Sequence, residues 1–221
     1  MEERLGTENT PAALMTAPAA ALFYDPERIA RRELQRLGAE AAALTHGAPE
    51  AFLSAAALTH ILSRILFDGI TDIDRLSREA GAMLLRRFAR EYHQVFRVRA
   101  ALKKARALAR NKHIGEVAAL VSMNGKTAEG VLAGALYLCA RGGGFAQILE
   151  IAGRWNPAAA AVAGAILGAV GGEGMIPGEL LEELECADVL RELGEDLFRG
   201  CPMMMGSKVF DIEWDEKYHS I

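Results

Sequence analysis

The stretch GRWNPAAAAVAGAILGAVGGEGMIP, Gly153 to Pro177, constrains the fold more than any other part of the chain. Its central run of Ala, Val, Ile, Leu and Gly carries no charge, which predicts a helix buried on all sides. Ala160, Gly164 and Gly168 recur every four residues, so one face should be nearly bare and open to a neighbouring backbone. Pro157 suits the first helical position, Asn156 before it supplies a side-chain cap, and Gly171 and Gly172 stop the helix. The run from Pro157 to Val170 falls short of the roughly 20 residues a bilayer span needs, so it predicts a core helix and no membrane segment.

The rest of the chain reads as more helix. Hydrophobic residues make up 51% of the 221, much of that Ala and Leu, while aromatics are only 6%; such a composition favours helix over strand. The expectation is an all-α fold, a single compact multi-helix domain over residues 1–221 with 1–11 loosely ordered. Pro18 should break or start a helix within ALMTAPAAALFY. Asp25-Pro26-Glu27 predicts a helix start for a run to about Leu44, and Gly47 and Pro49 punctuate before a second helix to Leu66. Two further helices are expected at Asp72 to about Phe96 and at Val98 to Arg110. Asn124-Gly125-Lys126 marks a turn, with Thr127 capping a helix to Arg141. Gly142, Gly143 and Gly144 predict a hinge, since no strand precedes them and no Gly-Lys-Ser/Thr follows. A short helix from Phe145 to Ile151 should lead into the stretch described first.

Charge is uneven along the chain. Residues 86–112 hold ten Lys or Arg against one acid, Glu91, whereas 173–216 hold thirteen Asp or Glu against Arg191, Arg199 and Lys208. The first segment suits either a solvated helix face or a phosphate surface, but no nucleic-acid recognition motif accompanies it. Basic middle and acidic tail can meet within one chain or between two. Cys139, Cys186 and Cys201 have no zinc or disulfide spacing and predict reduced thiols. The opening residues lack the basic flank of a signal peptide, so a cytoplasmic location is expected. His93 and His113 predict solvated side chains, Ser54 and Ser63 follow from helix patterning, and Met203, Met204 and Met205 predict core filler or a partner surface.

THGAPEAFLSAAALTHIL, SMNGKTAEGVLAGALYLCAR and AAAAVAGAILGAVGGEGMIP, with ALMTAP near the start and EWDEKY near the end, resemble the ADP-ribosylglycohydrolase family, the dinitrogenase-reductase-activating type included. Resemblance covers nearly the whole chain in the right order. It implies an all-α fold around a cleft that holds ADP-ribose over two magnesium ions. Hard dications want oxygen ligands, and a pair of them can orient ribose hydroxyls and an attacking water.

Against that pattern the chain departs. On the family's small-residue helix the two aspartate positions fall on Trp155 and Pro157, and the following hydroxyl position on Ala158. The chain looks like the family's C-terminal portion, with the early Thr-Asp-Asp-Thr ligands absent, and its ligand-touching Asn-Gly segment is reduced to Asn9, Thr10, Pro11, Leu14 and Met15. Glu150, Asn156 and Glu173 are the nearest replacement oxygens, too few for magnesium. The expectation is a catalytically inactive relative, a pseudoenzyme with a binding, scaffolding or regulatory role and no cofactor. The alternative is a magnesium-dependent glycohydrolase completed by another chain. A remaining pocket for an ADP-ribose-like ligand would be lined by His46, Gly47, Trp155 and Asn156, with Trp155 filling the metals' space. His46 can equally hold its helix turn in place by hydrogen bonds. Removing half of a domain would expose apolar helix faces, which predicts a homodimer or a protein partner covering them.

Overall fold

The computed structural model describes residues 6–22 and 29–199. A 3-10 turn over Pro11–Thr16 leads into α1 (Ala17–Leu22), α2 (Arg31–Ala43), α3 (Pro49–Asp68), α4 (Ile73–Phe88), α5 (Val95–Arg110) and α6 (Glu116–Val121). There follow α7 (Ala128–Arg141), α8 (Phe145–Trp155), α9 (Pro157–Gly171), α10 (Gly178–Glu182) and α11 (Ala187–Arg199), with no strand among the described residues. The fold is all-α, as expected.

The central element is α3. Every residue from Glu50 to Ser63 is buried, and α1, α2, α4, α5, α7 and α9 pack around it. Its sequence explains this: Ala51, Ala55, Ala56 and Ala57 let neighbours approach, while Phe52, Leu53, Leu58, Ile61 and Leu62 fill the space between them. Pro49 opens the helix, and Gly69 closes it at φ 63°, a left-handed conformation that suits glycine. By length and composition α3 could cross a membrane; here it is the enclosed core of a helical body. Beside it α7 is buried without interruption from Ala128 to Cys139. Cys139 behaves there as a small apolar residue, its thiol pushed up to about 12 by burial.

The helix expected to be buried on all sides is not. α9 buries only Ala159, Val162, Ala163, Ile166 and Leu167, a one-sided stripe, while Ala161 is exposed and nothing stands close to Gly168. The bare face is used only in part, where Ala160 and Gly164 meet Gly153 and Leu149 of α8. An Ala- and Gly-rich helix loses little by leaving a face in water, so its uniform apolarity did not reveal which side was inside.

Several boundaries also differ. Asp25, Pro26 and Glu27 lie outside the described residues, and α2 begins later, at Arg31, where the Glu33 carboxylate accepts the Ala30 N–H at 3.1 Å. The helix expected to reach Phe96 ends at Phe88, because the chain turns to set Tyr92 edge-on against Phe52, ring centroids 5.1 Å apart. α8 runs on to Trp155, four residues past the expected end. Met203, Met204, Met205, Trp214 and Tyr218 lie outside the described residues. Part of the basic segment is tied into the body: Arg97 pairs with Glu50 at 2.7 Å, and Arg106 and Arg110 both reach Asp74. These two guanidiniums, Arg106 foremost, hold the Asp74 carboxyl below its ordinary range.

Candidate ligand pocket

The candidate site forms around the turn that starts α7. The Asn124 side chain accepts the Lys126 N–H at 3.0 Å, and the Thr127 hydroxyl accepts the Gly130 N–H at 3.2 Å, so turn and cap are built from local side chains as expected. Gly130 is required by contact: a β-carbon there would lie 1.8 Å from the Asn124 carbonyl oxygen.

Asn156 joins this turn to α9. Its carbonyl oxygen accepts the Ala158 N–H at 2.8 Å, and its amide donates to the Gly125 carbonyl at 2.8 Å. The preceding Trp155 lays its indole over Gly125 and Gly134, where only glycine leaves room for the ring. An open cavity of about 520 Å³ lies here, lined among others by Asn124, Lys126, Trp155 and Asn156. Next to it, across Met123 and Asn124, a smaller one of about 230 Å³ presents Arg97, Lys104 and Glu129.

His46 and Gly47 do not line either cavity. They hold the opening segment instead: His46 Nε2 meets the Thr10 hydroxyl at 2.9 Å, His46 Nδ1 meets the Thr45 hydroxyl at 2.8 Å, and the Gly47 N–H donates to the Gly6 carbonyl. Asn9 carries that segment on to α7. Its amide donates to Glu129 Oε2 at 2.7 Å, and its carbonyl accepts the Ala128 N–H at 3.2 Å. The four anticipated residues thus fall in two places, with the α7 N-terminal turn between them.

The positions the resemblance assigns to metal ligands offer none. Trp155 is packed on glycines, Pro157 opens α9, and the Asn156 amide is engaged at both ends. Glu150 pairs with Arg154 and Glu173 with Arg191, each at 2.6 Å. Among the described residues no three His, Cys, Asp or Glu side chains come together. This donor set does not fit two magnesium ions, which ask for about six oxygens each.

A second polar cluster went unread in the sequence. Gln35 of α2 and Thr59 and His60 of α3 are buried together between the two helices, with Gln35 Nε2 3.0 Å from His60 Nδ1. Gln35 Oε1, Thr59 Oγ1 and His60 Nε2 have no hydrogen-bond partner. Burial, with Arg64 and Arg31 nearby, pulls the His60 imidazole down to about 4, so it is neutral at ordinary pH. The available signal was polar residues at inward positions of an otherwise apolar helix. Ser54 and Ser63 follow the simpler rule and bond their own helix backbone, while His93 and His113 are exposed.

This all-α body, with its small-residue α9 and capped α7 turn, is the architecture that the resemblance calls for. The chain belongs to the ADP-ribosylglycohydrolase family, whose sequence model matches residues 2–205. No curated protein and no solved structure matches the chain.

Proposed function

We propose that this member of the family binds an ADP-ribose-like ligand or a protein partner without cleaving a glycosidic bond. The observation that carries the reading is the seating of Trp155 and Pro157, an indole on glycines and a ring at a helix start, where the resemblance calls for anionic oxygens. What remains beside them is suited to holding and not to hydrolysis. Lys126 has no acidic partner among the described residues and can meet a phosphate, Asn124 can hydrogen-bond a hydroxyl, and the half-buried Trp155 offers apolar surface to a base or ribose. A cytoplasmic setting, where thiols stay reduced, is part of the same proposal.

The test has two arms. Purified protein is incubated with magnesium and a peptide ADP-ribosylated on arginine or serine; the expected result is no release of ADP-ribose above a boiled control, and release would overturn the reading. In parallel, ADP-ribose is titrated while Trp155 emission is followed in a Trp214→Phe background. A saturable change that weakens in Lys126→Ala supports the cavity as the ligand site, and no change moves the role to protein partners alone.

A further inference from the structure

On the described surface, one acidic apolar element and one aromatic groove flanked by exposed arginines are left without a mate. The first is the arm from Gly178 to Arg199. No residue from 171 to 196 is buried, and the arm is held by α11 against α1 and by Arg191, which pairs with Glu173 in the turn that packs on α9. Leu180, Leu184, Val189 and Leu190 are 43%, 42%, 41% and 50% exposed, large values for four leucine-class side chains so close in sequence. Glu179, Glu182, Glu183 and Glu185 stand among them, exposed and without a cationic partner among the described residues. Leu180 lies on α10 and Leu184 just past its end, with Glu179, Glu183 and Glu185 as their neighbours in the chain.

The second is a groove of about 560 Å³ between α2 and the end of α4. Its floor is apolar: Phe52, Phe88 and Tyr92, the last two half-buried, with Ala39 and Ala43 opposite. On the α2 wall the charges cancel, since Arg36 is paired with Glu40. Within the lining on the α4 side Arg87 stands against Glu91, and the excess of positive charge comes from Arg86 and Arg90, exposed neighbours of Arg87 outside the lining; all three arginines are without a carboxylate partner among the described residues. Among the described residues, none of the arm lines this groove within the chain.

We propose that two copies of this chain pair by exchange, the arm of each seating its leucines on the Phe52, Phe88 and Tyr92 floor of the other, with Glu179, Glu182 and Glu183 facing Arg86, Arg87 and Arg90. An apolar centre with a charged rim on both sides is the anatomy of a specific protein interface. Opposite rim charges fix the register and speed encounter. A nucleic acid would use the arginines but leave the aromatic floor and the leucines in water, and the acidic arm would repel it. The pairing is independent of what the Trp155 cavity holds, so the glycohydrolase and ADP-ribose assays can fail or succeed without touching it.

Charge exchange in solution tests it, with the full chain in reductant so that the exposed Cys186 cannot cross-link. Light scattering should give twice the 23.8 kDa of the chain at micromolar concentration. Arg86→Glu/Arg87→Glu/Arg90→Glu should be monomeric, as should Glu179→Lys/Glu182→Lys/Glu183→Lys, each with the circular dichroism of the parent. Mixing the two should restore a dimer, because each reversed surface then meets its opposite. Leu180→Ser/Leu184→Ser should also be monomeric with no change of charge. A monomeric parent overturns the proposal. So does a dimer that survives both charge reversals, or a mixture that stays monomeric. Salt-sensitive retention of a monomeric parent on immobilised oligonucleotide, lost in the arginine variant, overturns it in favour of a nucleic-acid surface.

Discussion

The indole of Trp155 lies where a side chain at Gly134 would have to go: a β-carbon on Gly134 would stand 2.3 Å from the ring. The last residue of α8 is thereby keyed into the side of α7. Gly134→Ala must push the ring out or shift α8, a small-to-large change of the kind that costs about 1–3 kcal/mol. Chemical denaturation should show a lower midpoint at unchanged slope, with Trp155 emission shifted to the red. An unshifted midpoint would mean the ring moves aside freely.

A second close fit ties α2 to α3. A β-carbon at Gly38 would meet Thr59 Oγ1 at 2.3 Å and Thr59 Cβ at 2.8 Å. Gly38→Ala should therefore destabilise, by about 2 kcal/mol or more, since both clashing atoms sit on a stiff β-branched side chain. Thr59→Val should do the reverse. It keeps the shape and removes a buried hydroxyl that has no partner, so it is expected to be neutral or to stabilise by about 1 kcal/mol. Thermal melts of the two variants should move in opposite directions.

His60 predicts an acid-sensitive stability. Burial pulls its folded imidazole down to about 4 from the ordinary 6.5, so protons bind the unfolded chain more readily. The contribution is whole above pH 6.5 and is lost as the pH falls from there toward 4. At 1.36 kcal/mol per pH unit the loss reaches up to about 3 kcal/mol. Urea midpoints measured from pH 7.5 to 4.5 should fall in the parent and lose most of that slope in His60→Leu, whatever the variant's absolute stability. Asp68, Asp74 and Glu79, whose carboxyls are held low by arginines, lose their share at more acid pH, which keeps the two effects separable.

Asn9 is predicted to fasten the opening segment. Its two bonds, to Glu129 and to the Ala128 N–H, lie at the α7 cap, and Asn9→Ala leaves the Glu129 carboxylate without that donor. A stability loss of about 1–2 kcal/mol is expected, with faster amide exchange over residues 6–10. His46→Ala should speed exchange in the same segment by releasing Thr10. If exchange there is unchanged in both, the hydrogen bonds do not hold it.

What the sequence made legible was local chemistry. Thr127 and Asn156 cap their helices as read, and the glycines at 171 and 172 end α9, because a cap needs only neighbours two or three residues away. Burial was not legible in the same way. α9 looked like the enclosed helix and α3 is, since a run of Ala and Gly carries no sidedness and the neighbours that decide it come from α1, α2, α4 and α7. The turn at Tyr92 obeys Phe52, forty residues earlier in the chain, and the Gln35–His60 pair spans 25 residues. Trp155 and Asn156 could be placed beside the α7 turn only once Gly125 and Gly134 were seen under the ring.

Because α3 has a neighbour on every side, the helical body has no seam along which to come apart. Cutting the chain anywhere from α1 to α9 would strip a wall from that rod and wet it, so neither piece should stay dry alone. Loss at any one wall is then felt by all of them, and the body should melt in a single cooperative step.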